Sequence, residues 1–263
     1  MSAQTTEEQD RDDRGSGWYI YGIVEPDVEV LDDARGIGDP PAPVDVVRIG
    51  TVAALVSEIP LDRPIGRSKD LQAHKQLLDA AAADTAVLPM RFGGVVASRD
   101  AVVDELLGPN EEQFKQALAA MAGKSQYVVR ARYDEQTLVR EVLSENSEAA
   151  QLADAVRDKP PESTRDARVR LGEIVYRAVE RRREADTAEV VRALEPVGEA
   201  TSAREPAHEM DAVHLAVLVE SSRVDELNEA LGQLADRWQG RMSIQLLGPM
   251  APYDFVVTTQ PPE

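Results

Sequence analysis

Apolar residues change their spacing along this chain, and the changes mark its elements. Trp18-Tyr19-Ile20-Tyr21-Gly22-Ile23-Val24 is a β-rich run with the character of a central strand. Val28 to Pro43 carries Gly36, Gly38, Pro40, Pro41 and Pro43, which predicts a loop. Val44 to Ile49 and Thr51 to Ile59 flank Gly50, the pattern of two strands joined by a tight turn. Ser68 then reads as the cap of a helix whose apolar stripe is Leu71, His74, Leu78 and Ala81. Val87 to Met90 is a short strand that ends at Pro89 and feeds a Phe92-Gly93-Gly94 turn. Two short helices follow, Arg99 to Leu107 and Glu111 to Met121, separated by Gly108-Pro109 and stopped by Gly123.

From Tyr127 the pattern changes. Tyr127, Val129, Ala131 and Tyr133 alternate with Val128, Arg130 and Arg132, as a strand with one buried face requires. Helical spacing runs from Glu135 to Leu194, with a break at Pro160-Pro161 and a stop at Pro196. Its long second piece carries Leu171, Ile174, Val175 and Ala178 on one stripe. Arg181, Arg182, Arg183 and Glu184 then predict a far end that projects into solvent or meets a partner. Val197 to Glu205 and Ala212 to Glu220 read as strands. Ser222 to Asp225 reads as a capping box, opening a helix that buries Val224, Leu227, Leu231, Leu234 and Trp238. Gly240 ends that helix, and Met242, Ile244 and Leu246 alternate in a last strand.

The order from Tyr127 is βαββαβ with extra helix in the first crossover, a ferredoxin-like pattern. The expected fold class is therefore α+β in two domains. Residues 18–124 form an N-terminal mixed α/β sheet domain, and 125–257 a C-terminal ferredoxin-like domain with long helices inserted at about 135–195. Residues 1–17 read as a disordered acidic tail and 258–263 as a short terminal one.

Composition narrows the class. Of 263 residues, 43% are hydrophobic, enough for packed cores. No apolar run reaches the roughly 18 residues of a membrane span. The start, MSAQTTEEQDRDDRGSG, is not a secretory signal, and the absence of Cys removes disulfides and thiolate chemistry. These features predict a cytoplasmic protein. A net charge of −19 repels nucleic acid and anionic membrane surfaces, so neither is an expected partner.

Motif chemistry is sparse. Gly123-Lys124-Ser125 lacks the earlier Gly of a phosphate loop, since that position is Leu118, and it lies between helix and strand. Gly36-Ile37-Gly38 lacks the third Gly of a dinucleotide fingerprint. His74 falls on a helix's buried stripe. His208 and His214, near Glu209 and Asp211, match no ligand spacing that carries a mechanism. No catalytic residue, metal or cofactor is expected.

Four segments carry a resemblance. They are Tyr19-Ile20-Tyr21-Gly22-Ile23-Val24, Ala73-His74-Lys75-Gln76-Leu77-Leu78, Val87-Leu88-Pro89-Met90-Arg91-Phe92-Gly93, and Leu247-Gly248-Pro249-Met250-Ala251-Pro252-Tyr253-Asp254-Phe255-Val256. In order and spacing they resemble the gas vesicle protein F/L family across residues 18–257. The family's C-terminal motif often reads Gly-Pro-Trp-Pro-Pro-Tyr-x-Phe, where this chain has Met250 and Ala251 in place of the Trp and the first Pro.

The resemblance implies an accessory or minor structural protein of gas vesicle assembly, located at the gas vesicle. Its implied partners are the small hydrophobic shell protein (GvpA type) and other gas vesicle accessory proteins. It singles out His74, Pro89, Arg91, Phe92, Gly93, Gly248, Pro249, Pro252, Tyr253 and Phe255 as motif residues that serve core and turn or touch the partner. Ferredoxin-like domains also act as ligand-sensing modules and small oxygenase-type enzymes, which are the alternatives.

Overall fold

In a computed structural model the described residues are 15–62 and 64–256. They divide into two units, one of residues up to Gln126 together with those from Pro249, the other Tyr127–Gly248. Residues from Pro249 thus group with the first unit.

The first unit is built on antiparallel pairs in the order β4 (Asp45–Ile49), β5 (Val52–Pro60), β1 (Ser16–Val24), β6 (Val87–Pro89), with the two-residue β7 (Val95–Val96) also on β1. β4 and β5 close on the Gly50 turn, where φ is +49°. β1 is buried on both faces because helices cover both. Ile20, Ile23, Val52, Ala54 and Val56 face a helical run of α2 (Arg99–Ala101), a π-helical stretch (Val102–Leu107) and α3 (Gly108–Met121). Tyr19, Tyr21, Val24, Ala53 and Leu55 join the opposite core, which includes Leu78 of α1 (Ser68–Asp84).

A bulge shifts the β1–β5 register between Ile20 and Gly22. It turns Tyr21 and Gly22 toward the same side, and Gly is required there. A Cβ at position 22 would lie 2.8 Å from Leu78 Cδ2 and 2.9 Å from the Leu88 carbonyl. Pro89 is tolerated because β6 ends the strand order, so its missing N–H costs no ladder bond further out.

Several local expectations change. The loop predicted for Val28 to Pro43 contains a small hairpin, β2 (Arg35–Gly38) with β3 (Pro41–Pro43). Arg67, not Ser68, precedes α1, and the Asp70 carboxylate accepts from the Arg67 and Gly38 N–H groups at 3.2 Å each. Leu71 is 54% exposed, so the buried stripe of α1 is Asp70, His74 and Leu78. Gly108-Pro109 does not separate two helices. The Gly108 N–H bonds the Val103 carbonyl five residues back, and the wide turn places Pro109 at the start of α3, where its missing donor is tolerated.

The second unit holds one sheet in the order β11 (Met242–Met250), β8 (Lys124–Tyr133), β10 (Asp211–Glu220), β9 (Ala200–Ala203). Tyr127, Val129, Ala131 and Tyr133 are buried as their alternation predicts. They meet residues of α4 (Glu135–Glu145), α5 (Ser147–Val156), α6 (Arg165–Leu194) and α7 (Val224–Arg237) in a single core. α7 contributes Leu227, Leu231 and Leu234, ends beside the buried Trp238, and is followed by Gly240 at φ +75°. Its start differs from the expectation: a 3-10 turn at Ser221–Arg223 leads in, and the Ser222 hydroxyl donates to Glu220 instead of capping.

The far end of α6 meets its prediction only in part: Arg181 and Glu184 are exposed. Arg182 and Arg183 are only 15% exposed, and Asp186, Val190 and Leu194 beyond them are buried. Ion pairs explain this: Arg182 reaches Glu141 and Glu145 of α4, and Arg183 meets Glu180 and the Asp211 and Glu209 carbonyls. Toward its beginning α6 exposes large apolar side chains, Val169 at 56% and Tyr176 at 64%.

Candidate functional site

The motif residues of the first unit converge on Tyr19. From β1 its hydroxyl lies 2.8 Å from His74 Nδ1 on α1 and accepts the Gly93 N–H at 3.2 Å. Because the imidazole donates its other N–H to the Met90 backbone, its Nδ1 accepts and the Tyr19 O–H donates. Burial makes the imidazolium costly and holds the His74 pKa at about 4, against which a hydrogen bond to the Met90 backbone works. His74 is therefore neutral at pH 7. Burial likewise pushes the Tyr19 hydroxyl above its usual range. Phe92 packs edge-on to both rings, with centroids 5.5 Å from His74 and 5.9 Å from Tyr19.

Tyr21 extends this neutral network. Its hydroxyl donates to Ser57 Oγ at 2.9 Å and accepts the Ile37 N–H at 2.9 Å, while Ser57 donates to the Pro43 carbonyl at 2.7 Å. Gly93 sits at φ +101°, a conformation that favours Gly at this turn. Pro89 pairs with Gly22 in β6. His74, Phe92 and Gly93 are thus structural neighbours around one hydroxyl. Arg91 is apart from them: its side chain is exposed and forms no ion pair among the described residues.

The C-terminal motif is tied into the same unit. The Ala251 N–H donates to Asp79 of α1 at 3.0 Å, and the Asp254 N–H donates to the buried Gln126 at 2.9 Å. Ala251 and Pro252 are buried. Tyr253 packs against the Tyr19 core; burial and the nearby Asp79 carboxylate push its hydroxyl upward. That hydroxyl has no hydrogen-bond partner among the described residues. Phe255 lines a separate 240 Å³ pocket with Met90, Phe114 and Met121. Gly248 (φ +135°) and Pro249 are exposed.

A different surface, not singled out from sequence, lies in the second unit. Leu171, Val175, Tyr176 and Val179 on the first half of α6 face Met210 and Pro206 across a groove of about 920 Å³. Arg168, Glu180, Arg183, Glu205 and Glu209 form its charged margin. Such an apolar surface rimmed by polar groups is the usual form of an interaction site. The apolar stripe of α6 was legible in sequence, but a stripe does not reveal whether core or groove meets it.

The two remaining histidines bond to nearby backbone. His214 Nδ1 lies 2.7 Å from the Glu205 carbonyl, and His208 Nδ1 accepts the Met210 N–H at 3.1 Å. Among the described residues no group of three or more His, Cys, Asp or Glu is placed to hold a metal, and no helix is long and apolar enough to cross a membrane.

Residues 17–257 match the family model described as Gas vesicle synthesis protein GvpL/GvpF. The chain belongs to this family. Gas vesicle protein F of Streptomyces sp. (strain CB03234) is 38% identical over 242 residues, covering 90% of this chain and 98% of that protein. Gas vesicle protein L1 of Halobacterium salinarum is 30% identical over 139 residues, about half of each chain. The crystal structure of GvpF from Anabaena sp. PCC7120 superposes with a TM-score of 0.74 at 22% identity, covering 93% of this chain and all of that one. The fold of this GvpL/GvpF member is thus shared with a solved α+β structure at low identity.

Proposed function

We propose that this chain is an F-type accessory protein that holds the hydrophobic shell subunit during nucleation or growth of a gas vesicle, at the vesicle and in the cytoplasm. Near-full-length likeness to a gas vesicle protein F supports the F over the L assignment. The carrying observation for the holding role is the α6 groove, whose Tyr176 is 64% exposed on a protein of charge −19. A subunit that must later face gas presents apolar surface, and a charged carrier with an apolar groove covers it without aggregating. The alternatives, a ligand sensor or an oxygenase-type enzyme, lack the family-level support that the vesicle reading has.

We read the second unit as ferredoxin-like, since β11-β8-β10-β9 is the order a βαββαβ unit adopts. Its inserted helices supply the groove, and the first unit is the N-terminal domain. Within that unit His74, Pro89, Phe92, Gly93, Pro252 and Tyr253 are assigned to core and turn. Arg91 is assigned to contact with another accessory protein.

Co-expression with a GvpA-type shell protein tests the holding role. Wild type is expected to co-purify with it at low and high salt. The Val175→Asp/Tyr176→Glu variant, checked for native circular dichroism, is expected to lose it. No complex with wild type, or equal capture by the variant, overturns the proposal.

A further inference from the structure

The first unit carries a second groove, of about 400 Å³, between the last turns of α1 and the segment that follows β1. Its floor is apolar: Val28, Val30, Leu55, Leu77, Ala80 and Ala81. Leu31 stands at its margin at 77% exposure, the highest of the large hydrophobic side chains exposed among the described residues. Alanines at 80 and 81 let a partner backbone come close to α1, as a packed helix requires.

The margin's lining side chains are acidic, while the Arg48 guanidinium beside them is engaged by the Pro26 and Val28 carbonyls and Arg35 by the Ala34 carbonyl. Glu25, Asp27, Glu29 and Asp84 line the margin, and no Lys or Arg does. None of these four carboxylates forms an ion pair among the described residues, although Glu25 accepts a hydrogen bond from Thr85 at 3.3 Å. The last turn of α1 adds to this, because it has no basic residue to offset the negative end of the helix. The α6 groove differs, since Arg168 and Arg183 stand among its acidic margin residues.

We propose that this groove binds a partner segment that is both aliphatic and cationic, an amphipathic helix whose Leu-like face fills the floor while flanking Lys or Arg residues meet the carboxylates. Charge complementarity selects this occupant: an acidic or neutral helix would leave four carboxylates unpaired, and a purely polar cation would leave Leu31 and Val30 in water. The site would give the chain a second, separate handle on its partners, independent of the α6 groove.

The probe is a fluorescein-labelled helical peptide of Leu and Lys, about 14 residues long so that it can fold on the surface, set against a Leu/Glu counterpart. Binding to the full chain is read by fluorescence anisotropy. The Leu/Lys peptide is expected to bind wild type, and the Leu/Glu peptide not to. Asp27→Asn/Glu29→Gln/Asp84→Asn and Leu31→Ser are each expected to weaken binding about ten-fold. Asp225→Asn/Glu229→Gln/Asp236→Asn on α7 makes the same change in net charge and is expected to leave affinity unchanged. Equal loss in both charge variants would show that the overall field holds the peptide and would overturn the proposal. So would unchanged binding by Leu31→Ser, or light scattering that shows a dimer which Leu31→Ser dissociates.

Discussion

The buried network around Tyr19 in the first unit and those around Asp186 and Asp211 in the second treat charge in opposite ways. In the first, the buried network is neutral: Tyr19, Tyr21, Ser57 and His74 exchange hydrogen bonds without a charged member. In the second, it is ionic. Asp186, 4% exposed, receives the Tyr133 hydroxyl at 2.6 Å and the Arg241 guanidinium at 2.8 Å and 2.9 Å. Asp211, 1% exposed, meets Arg130 at 3.0 Å and Arg132 at 3.3 Å and accepts the Ala207 and His208 N–H groups. Burial pushes the Asp211 carboxyl up, but the two guanidiniums and these hydrogen bonds hold it below the usual range. A neutral network pins a core by geometry at modest cost per bond. An ionic one is costly to break from one side, because the surviving charge stays buried.

That contrast can be broken at its strongest point first. Arg241→Ala leaves the buried Asp186 carboxylate without its cation and is expected to destabilise by about 3–5 kcal/mol in urea unfolding. A loss below about 1 kcal/mol would mean that the ionic network is dispensable. Tyr19→Phe in the neutral network is expected to cost less, about 1–3 kcal/mol, because His74 and the Gly93 N–H lose one partner but no charge is stranded.

The pH dependence sharpens the same point. The folded His74 pKa of about 4 lies below the ordinary value of 6.5, so its contribution to stability is complete above about pH 6.5. As pH falls toward 4 the unfolded chain takes up a proton that the folded chain refuses, and the contribution is lost. His74→Gln is expected to flatten the fall in Tm over this window. An unchanged slope would show that His74 titrates normally. The smallest effect is expected at Tyr253→Phe, within about 0.5 kcal/mol of wild type, since its buried hydroxyl has no partner among the described residues to lose.

Regular alternation made part of this legible from sequence. Tyr127 to Tyr133 and the α7 stripe of Leu227, Leu231 and Leu234 occupy the faces their spacing implies, because one buried face imposes one period. The bulge at Tyr21-Gly22 was not legible, since it depends on Leu78 and Leu88 arriving from elsewhere in the chain. Neither was the continuous helix through Gly108-Pro109, where a π-turn absorbs two residues that ordinarily break one. The buried arginines of α6 misled because guanidinium burial depends on partners 26 to 41 residues away, such as Glu141, Glu145 and the Glu209 carbonyl. At the site, the motifs marked the Tyr19 cluster through His74, Phe92 and Gly93, while Tyr19, the first residue of another motif segment, was not singled out because its run reads as an ordinary strand. The α6 groove left no motif, only a stripe that a core would also produce.

The proposed seat of the shell subunit is the second unit, along α6. Hydrogen exchange on the complex with a GvpA-type shell protein tests this most directly. The prediction is slowed exchange in residues 165–183 and 205–210, with the Tyr19 cluster of the first unit unchanged. Slowed exchange confined to the first unit, with α6 unaffected, would contradict it.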